Sequence, residues 1–504
     1  DLLAIPSQPT LLVLAINRVQ NIYKAPIAIA SFSNGGMKTE QQGRDSFTPE
    51  LLSTYLENDF HLDLSFYKLL TYNSSHIGDV VLQHCTREKI HETKRSKVAL
   101  SVLMPVHTGP PSASDLAIKS ILYQTLEDPS ILPIQIVLVD DRCRDGSIER
   151  MLKTARDFDR EHQQLYRPFL RIRNSQDSNC YDLSKFDNIY PEPITIDVVR
   201  SPSPGVGAAL NFGLEVCRAD FVARMDADDI SCPRRLISQL RYLQHNPEIQ
   251  VVGTNGVLFT ESKASSPKDS DPETNLISVP FMVKQPRLKP IRSSIEPTDS
   301  GFVAWSLIFS CVIMHPSVML RKAAFTGNIR YSQSDSVSRT EDYDLWLRLI
   351  EQNPKSICSI PLIGILHRKH GNRSNCDQRS RLQREESTLL SHRATKELCG
   401  ISTSLEVVEA LKYPHDTNSI TLLNQAAELL CALEEGFVTN VGTQLTKNEI
   451  ELISLDCDGR LGELAVLAVE KFGREATKNM AWNLWCQRCP DLQMERLSLL
   501  LYAK

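Results

Sequence analysis

From residue 98 the chain falls into short, almost continuously apolar runs at 98–106, 134–139, 194–199, 221–225 and 249–252. Segments with apolar positions at helical spacing lie between several of them, at 117–124, 148–160, 208–217 and 234–245. Strands that show little polar alternation are covered on both faces, and strands that alternate with helices pair in parallel. The pattern therefore predicts an α/β fold: a Rossmann-like, mainly parallel sheet with helices on both faces. Ligands of such sheets bind beyond the carboxyl ends of the strands, where Asp140, Asp141 and residues 226–229 fall.

The pattern changes on either side of this block. Residues 1–96 read as a partly helical N-terminal extension. It has a Gly/Ser/Asn-rich break at 31–36, and Thr48-Pro49 caps a helix entering Leu51, Leu52, Tyr55 and Leu56. Residues 97–376 read as the α/β domain, with surface insertions near 163–193 and 261–300. Residues 377–504 read as an α-helical C-terminal domain. Capping boxes are expected at Thr403…Glu406 and Thr446…Glu449, with an apolar stripe through Leu422, Leu423, Ala426, Leu429, Leu430 and Leu433.

Composition narrows the classes. The chain has 504 residues, 41% hydrophobic and 23% charged, with 61 acidic and 56 basic side chains and a formal charge of −5. Such a balance offers no basic field for nucleic acid. Thirteen Cys residues without a Cys-x-x-Cys pair argue against a disulfide scaffold. No apolar stretch approaches the roughly 20 residues that span a bilayer. A cytoplasmic location is the favoured expectation, with a Golgi or ER lumen as the alternative if an upstream signal or anchor has been removed. A sequon at Asn372, inside a candidate site loop, leans toward a compartment without N-glycosylation.

The candidate chemistry sits at strand ends. Residues 221–229, Phe-Val-Ala-Arg-Met-Asp-Ala-Asp-Asp, end an apolar run in three carboxylates, a hard-oxygen set suited to Mg²⁺ or Mn²⁺ shared with substrate phosphates. The same residues also suit an acidic turn, with Asp228 or Asp229 capping the helix near Pro233. Pro105, Val106 and His107 end the first strand, and adjacent parallel strands would set them beside Asp141. A carboxylate there can accept a ring N–H from a pyrimidine. The loop Ser-Pro-Ser-Pro-Gly-Val-Gly at 201–207 permits close backbone approach at Gly205 and Gly207 and is neither a Walker loop nor a dinucleotide fingerprint. Residues 315–319 read as a strand. Residues 339–348 open a helix capped by Thr340, with Glu341 and Asp342 in its first turn. The helix dipole favours acids there, and a general base is the other reading. His367 and His370 lie in a basic, Gly-containing segment, where an imidazole could complete a metal shell.

Together these segments resemble the inverting family 2 glycosyltransferases of GT-A fold. The resemblance runs from about residue 98 to 374. It is carried by Ala-Ala-Leu-Asn-Phe-Gly at 208–213, Ala-Arg-Met-Asp-Ala-Asp-Asp-Ile-Ser-Cys-Pro-Arg-Arg-Leu at 223–236, His-Pro-Ser-Val at 315–318 and Glu-Asp-Tyr-Asp-Leu-Trp-Leu-Arg at 341–348. It implies transfer of a sugar from a nucleotide sugar, most readily a UDP-sugar, to a carbohydrate or other hydroxyl-bearing acceptor, with Mn²⁺ or Mg²⁺ as cofactor. Pro105, Val106, His107 and Asp141 would meet the nucleobase, and Gly205, Gly207, Asn211 and Arg224 would complete the donor side. Asp226 would face ribose and metal, Asp228 and His370 the metal, and Asp342 with Glu341 would serve catalysis. His107-Thr108 and Arg142-Cys143 depart from the family's usual Tyr-Asn and Gly-Ser. Nucleotidyl transfer and an inactive binding protein on the same fold are the competing classes.

Overall fold

The computed structural model describes residues 29–33, 36–40, 98–109, 111–162, 170–174, 193–261, 288–294, 296–369, 376–473, 476 and 480–489. The chain divides into two compact units, Asp1–Glu92 and Thr93–Lys504. In the first unit β1 (Ile29–Ser33) pairs antiparallel with β2 (Gly36–Glu40), so the stretch expected to break the chain is largely strand. The helix expected at Thr48 to Leu56 lies outside the described residues.

The second unit is built on a ten-stranded sheet. Its elements run β3 (Leu100–Val106), α1 (Pro111–Glu127), β4 (Ile134–Asp140), α2 (Ser147–His162), β5 (Leu170–Asn174), β6 (Ile194–Arg200), α3 (Val206–Val216), β7 (Phe221–Arg224), β8 (Ile230–Ser231) and α4 (Arg235–His245). After these come β9 (Val251–Glu261), β10 (Leu288–Ser294), α5 (Ser300–Leu307), β11 (Met319–Arg321), α6 (Glu341–Gln352) and β12 (Ile357–Arg368). The order across the sheet is β5-β6-β4-β3-β7-β11-β9-β12-β8, with β10 on β9. The half from β5 to β7 is wholly parallel, as its unbroken apolar runs require. Beyond β7 the sheet is mixed rather than mainly parallel: β11 runs antiparallel to both β7 and β9, and β8 antiparallel to β12.

Helices cover both faces. Helix α2 buries Ile148, Met151, Leu152, Ala155 and Phe158, a helical stripe packed with α1 and α4 residues on one side of the sheet. On the other side α3, α5 and α6 share a core with the helices that follow: α7 (Cys376–Cys399), α8 (Leu405–Lys412), α9 (Ile420–Val441), α10 (Lys447–Phe472) and α11 (Met480–Arg488). The expected boundary at 376/377 marks the change from sheet to helix inside one compact unit. The stripe on α9 is buried through Leu423, Ala426, Leu429, Leu430 and Leu433. Thr446 and Glu449 form the expected capping box of α10. The cap of α8 is Ser404, accepting from the Val407 N–H, one residue beyond the expected Thr403.

Candidate active site

The parallel register of β3 and β4 sets Val106 opposite Asp140, and the Asp141 N–H donates to the Val106 carbonyl at 2.9 Å. This brings Pro105, Val106 and His107 beside Asp141. The His107 ring Nδ1–H donates to the Asp141 carbonyl at 2.8 Å. The Asp141 carboxylate accepts from the Gly205 N–H at 3.1 Å and from Arg142 Nη1 at 3.2 Å, tying the loop after β4 to the loop after β6. Arg142 has φ 61°, a left-handed conformation that a glycine adopts without strain. Gly205, at φ 104°, occupies backbone space closed to most side chains.

Gly207 and Asn211, expected on the donor side, serve another segment. A Cβ on Gly207 would lie 2.8 Å from the Ser332 carbonyl oxygen. The Asn211 amide donates to the Tyr331 carbonyl at 2.8 Å and accepts from its N–H at 2.9 Å. Helix α3 thereby fixes Tyr331, whose hydroxyl pairs with His315 Nε2 at 2.9 Å. Residues 315–317 form a short 3₁₀ turn ahead of β11, not the expected strand, because Pro316 removes a ladder donor. His315 is buried; burial and the nearby Arg224 charge hold its ring well below the usual pKa, so it is neutral at physiological pH.

Arg224 closes β7 and is itself buried. Its Nη2 pairs with Asp226 at 2.7 Å, while Nε and Nη1 have no hydrogen-bond partner among the described residues. Its charge also acts on Glu341 and Asp342, at the start of α6, lowering both. Burial dominates there nonetheless. It raises Asp342 above the ordinary carboxylate value and, with the neighbouring Asp342 charge, pushes Glu341 up to about 7. Asp342 Oδ1 accepts from the Tyr343 N–H at 2.8 Å; Oδ2 lies 3.8 Å from the Cys311 thiol and 4.0 Å from His315 Nδ1. Thr340 stands at the N-cap position, yet its hydroxyl donates to Glu386 on α7 at 3.1 Å instead of capping.

A second cluster follows from the pairing of β8 with β12. Ile230 lies opposite Leu366, so one step further Asp229 meets His367. Asp229 is fully buried and accepts from His367 Nδ1 at 3.0 Å and the Arg368 N–H at 2.8 Å. It caps no helix: Arg234 holds the N-cap position of α4 without a side-chain bond. Burial pushes the Asp229 carboxyl up to about 6 against the pull of His367. For His367 burial lowers the ring pKa, and Asp229 outweighs it in the other direction. Asp226, Asp229 and His367 each offer a ligand atom within 4.8 Å of the others, two hard oxygens and an imidazole nitrogen that fit Mn²⁺ or Mg²⁺. Asp228 stands outside that group, its backbone carbonyl accepting from Arg368 Nε at 2.8 Å. His370 lies outside the described residues. Sequence reading passed over Cys311 and Tyr331 and assigned His315 no role. Only the His-Pro-Ser-Val string hinted at the last.

Residues 174–305 match the family model described as Glycosyl transferase family 2. The bifunctional glycosyltransferase pgtA of Dictyostelium discoideum is 26% identical over 324 residues, covering 60% of this chain and 42% of that protein. The putative glycosyltransferase EpsE of Bacillus subtilis is 33% identical over 147 residues, covering 29% and 43%. A UDP-Gal:alpha-D-GlcNAc-diphosphoundecaprenol beta-1,3-galactosyltransferase of Escherichia coli is 26% identical over 152 residues, covering 30% and 45%. The chain thus spans less than half the length of these relatives. An overlay on S. aureus TarS 1-349 in complex with UDP-GlcNAc covers 79% of this chain and 92% of that one, at 13% identity and a TM-score of 0.35, too loose to carry anything over. The family match and the curated relatives agree: residues 174–305 are similar to family 2 glycosyltransferases, and the relatives named here are glycosyltransferases.

Proposed function

We propose that the protein transfers a sugar from a UDP-sugar to an acceptor hydroxyl with inversion at the anomeric carbon, with Mn²⁺ or Mg²⁺ as cofactor. The observation that carries this reading is Arg224. A buried guanidinium with two unpartnered nitrogens, set between Asp226 and the Glu341–Asp342 pair, suits an anionic group arriving between the two carboxylate centres. The name of the Escherichia coli relative includes a UDP-sugar donor, which favours uridine here.

Asp342 is the base. Its Oδ1 is held by the Tyr343 N–H, and Oδ2 accepts the proton of the acceptor hydroxyl. The acceptor oxygen bonds to the anomeric carbon from the face opposite the leaving group. The bond from that carbon to the diphosphate oxygen breaks, its electron pair leaving with the nucleoside diphosphate. Arg224 offsets the charge that develops there. Asp226, Asp229 and His367 would hold the divalent cation, with Asp228 as a further carboxylate, and when bound it supplies positive charge against the diphosphate. Asp141 is the acceptor for the ring N–H of the base, and His107 packs beside it.

The test is nucleotide release from a panel of nucleotide sugars with Mn²⁺ and with EDTA. Asp342→Asn is expected to slow transfer by roughly 10²–10⁴-fold while donor binding, followed by calorimetry, is retained. EDTA should suppress release and added Mn²⁺ restore it. An Asp342→Asn rate equal to wild type removes the base assignment.

A further inference from the structure

Asp342 faces more than the donor side. It forms part of the wall of a cavity of about 370 Å³, within the size of small-ligand sites, roughly 300–1,000 Å³. Ser380, Gln383, Arg384 and Ser387 of α7 line it too. These four lie at i, i+3, i+4 and i+7, one face of the helix. A second stripe of α7, through Glu386, Leu390, Ala394 and Leu398, is buried in the protein. The helix therefore keeps an unbroken polar face on a cavity that also contains the base. None of Asp226, Asp229 and His367 lines this cavity.

Its walls are held in place by bonds from behind. Arg384 stacks on the Tyr413 ring at 3.9 Å and pairs with Glu409 at 3.2 Å and with Asp416. Two carboxylates thus offset the only guanidinium in the lining. Ser387 Oγ accepts from Lys412 Nζ at 3.1 Å, and the same ammonium donates to the Phe309 carbonyl at 2.6 Å. What remains is a surface of hydroxyl and amide groups with an aromatic wall and one carboxylate, Asp342, which Arg224 offsets only from outside the lining. An anionic acceptor would meet that carboxylate without a spare cation, and a cationic one would quench the base by pairing with it.

Building on the proposed sugar transfer, we infer that this cavity between α6, α7 and Tyr413 is the acceptor subsite and that it takes a neutral saccharide. The reacting hydroxyl reaches Asp342 Oδ2, while other hydroxyls of the sugar bond Ser380, Gln383 and Ser387. The donor and acceptor then approach Asp342 and Arg224 from different sides, as an in-line displacement demands.

Steady-state kinetics on the full chain separate the possibilities. Acceptors are methyl glycosides of neutral hexoses and N-acetylhexosamines and the 6-phosphates of the same sugars. Ser380→Trp sets a bulky ring in the cavity lining, and Gln383→Ala removes one polar group from an exposed helix position. The acceptor KM should rise at least about tenfold in Ser380→Trp and a few-fold in Gln383→Ala, with the donor KM near wild type in both. An acceptor KM unchanged in both variants overturns the subsite, and transfer only to the phosphorylated sugars overturns the neutral class. Donor consumption by the wild type, followed as nucleotide release with all the acceptors present together, stands apart from both outcomes. Its complete absence across the nucleotide-sugar panel overturns the transferase reading and the subsite with it.

Discussion

Arg224 was one residue among several in the sequence motif, yet its position makes it the electrostatic hub of the site. It pairs with Asp226 and lowers Glu341 and Asp342, while burial raises that pair. The sign follows directly. In its proposed role Asp342 works as a base only when deprotonated, so kcat/KM is expected to fall as pH drops through the raised values of the pair. These titrate together, with Glu341 pushed up to about 7. The acid limb of the pH–rate profile should therefore lie above the ordinary carboxylate range, and Arg224→Met should move it to still higher pH. A limb near the free carboxylate value in the wild type contradicts this account. Asp226, Asp141 and Asp342 stood out in the sequence as candidates because carboxylates gathered at strand ends and in a helix's first turn suit metal and base chemistry as well as turns and caps. For Asp229 the sequence leaves a helix cap and a metal ligand both open: nothing within a few residues of it reveals that His367 lies opposite.

Elements were legible where periodicity was strong. The five apolar runs all became strands of the sheet, and the four intervening helices formed within a few residues of expectation. The turn at His315–Ser317 and the reversal of β11 were not legible, because a short apolar run carries no sign of its direction. Close approach of elements also leaves a mark in the chain. A Cβ on Gly436 of α9 would lie 2.3 Å from the Cys399 carbonyl oxygen at the end of α7. Backbone cannot yield as a side-chain tip can, so Gly436→Ala should destabilise the protein by about 1–3 kcal/mol, read from urea unfolding. No change in the midpoint would mean that α7 and α9 can separate freely. Such a shift would also alter the α7 face that bears Ser380 and Gln383.

On the scale of the whole unit, Glu449 joins the helical region to the sheet side. Its carboxylate accepts from the Gly301 N–H of α5 at 2.7 Å, from Lys355 Nζ at 2.6 Å and from the Thr446 N–H at 2.8 Å. Burial would raise its pKa, but these donors together hold it below the usual value. A carboxyl depressed in the folded state stabilises the fold above its unfolded pKa, and that stability is lost as pH falls through the folded one. Glu449→Ala should cost about 3–5 kcal/mol at neutral pH, because it strands Lys355 and two backbone donors, and the cost should shrink in acid. An equal loss at pH 7 and at pH 3 would show that the carboxylate's charge is not what matters. The sequence by itself determined the α/β class, the helical C-terminal region and the residue types at the strand ends, since these follow from local periodicity and from hydrophobic burial. Only the tertiary structure decided which carboxylates share a neighbour, that Arg224 acts on both Asp226 and the Glu341–Asp342 pair, and that a polar face of α7 lines a cavity with Asp342. Those are juxtapositions of segments far apart in the chain, set by sheet order and strand direction, and local pattern carries no record of them.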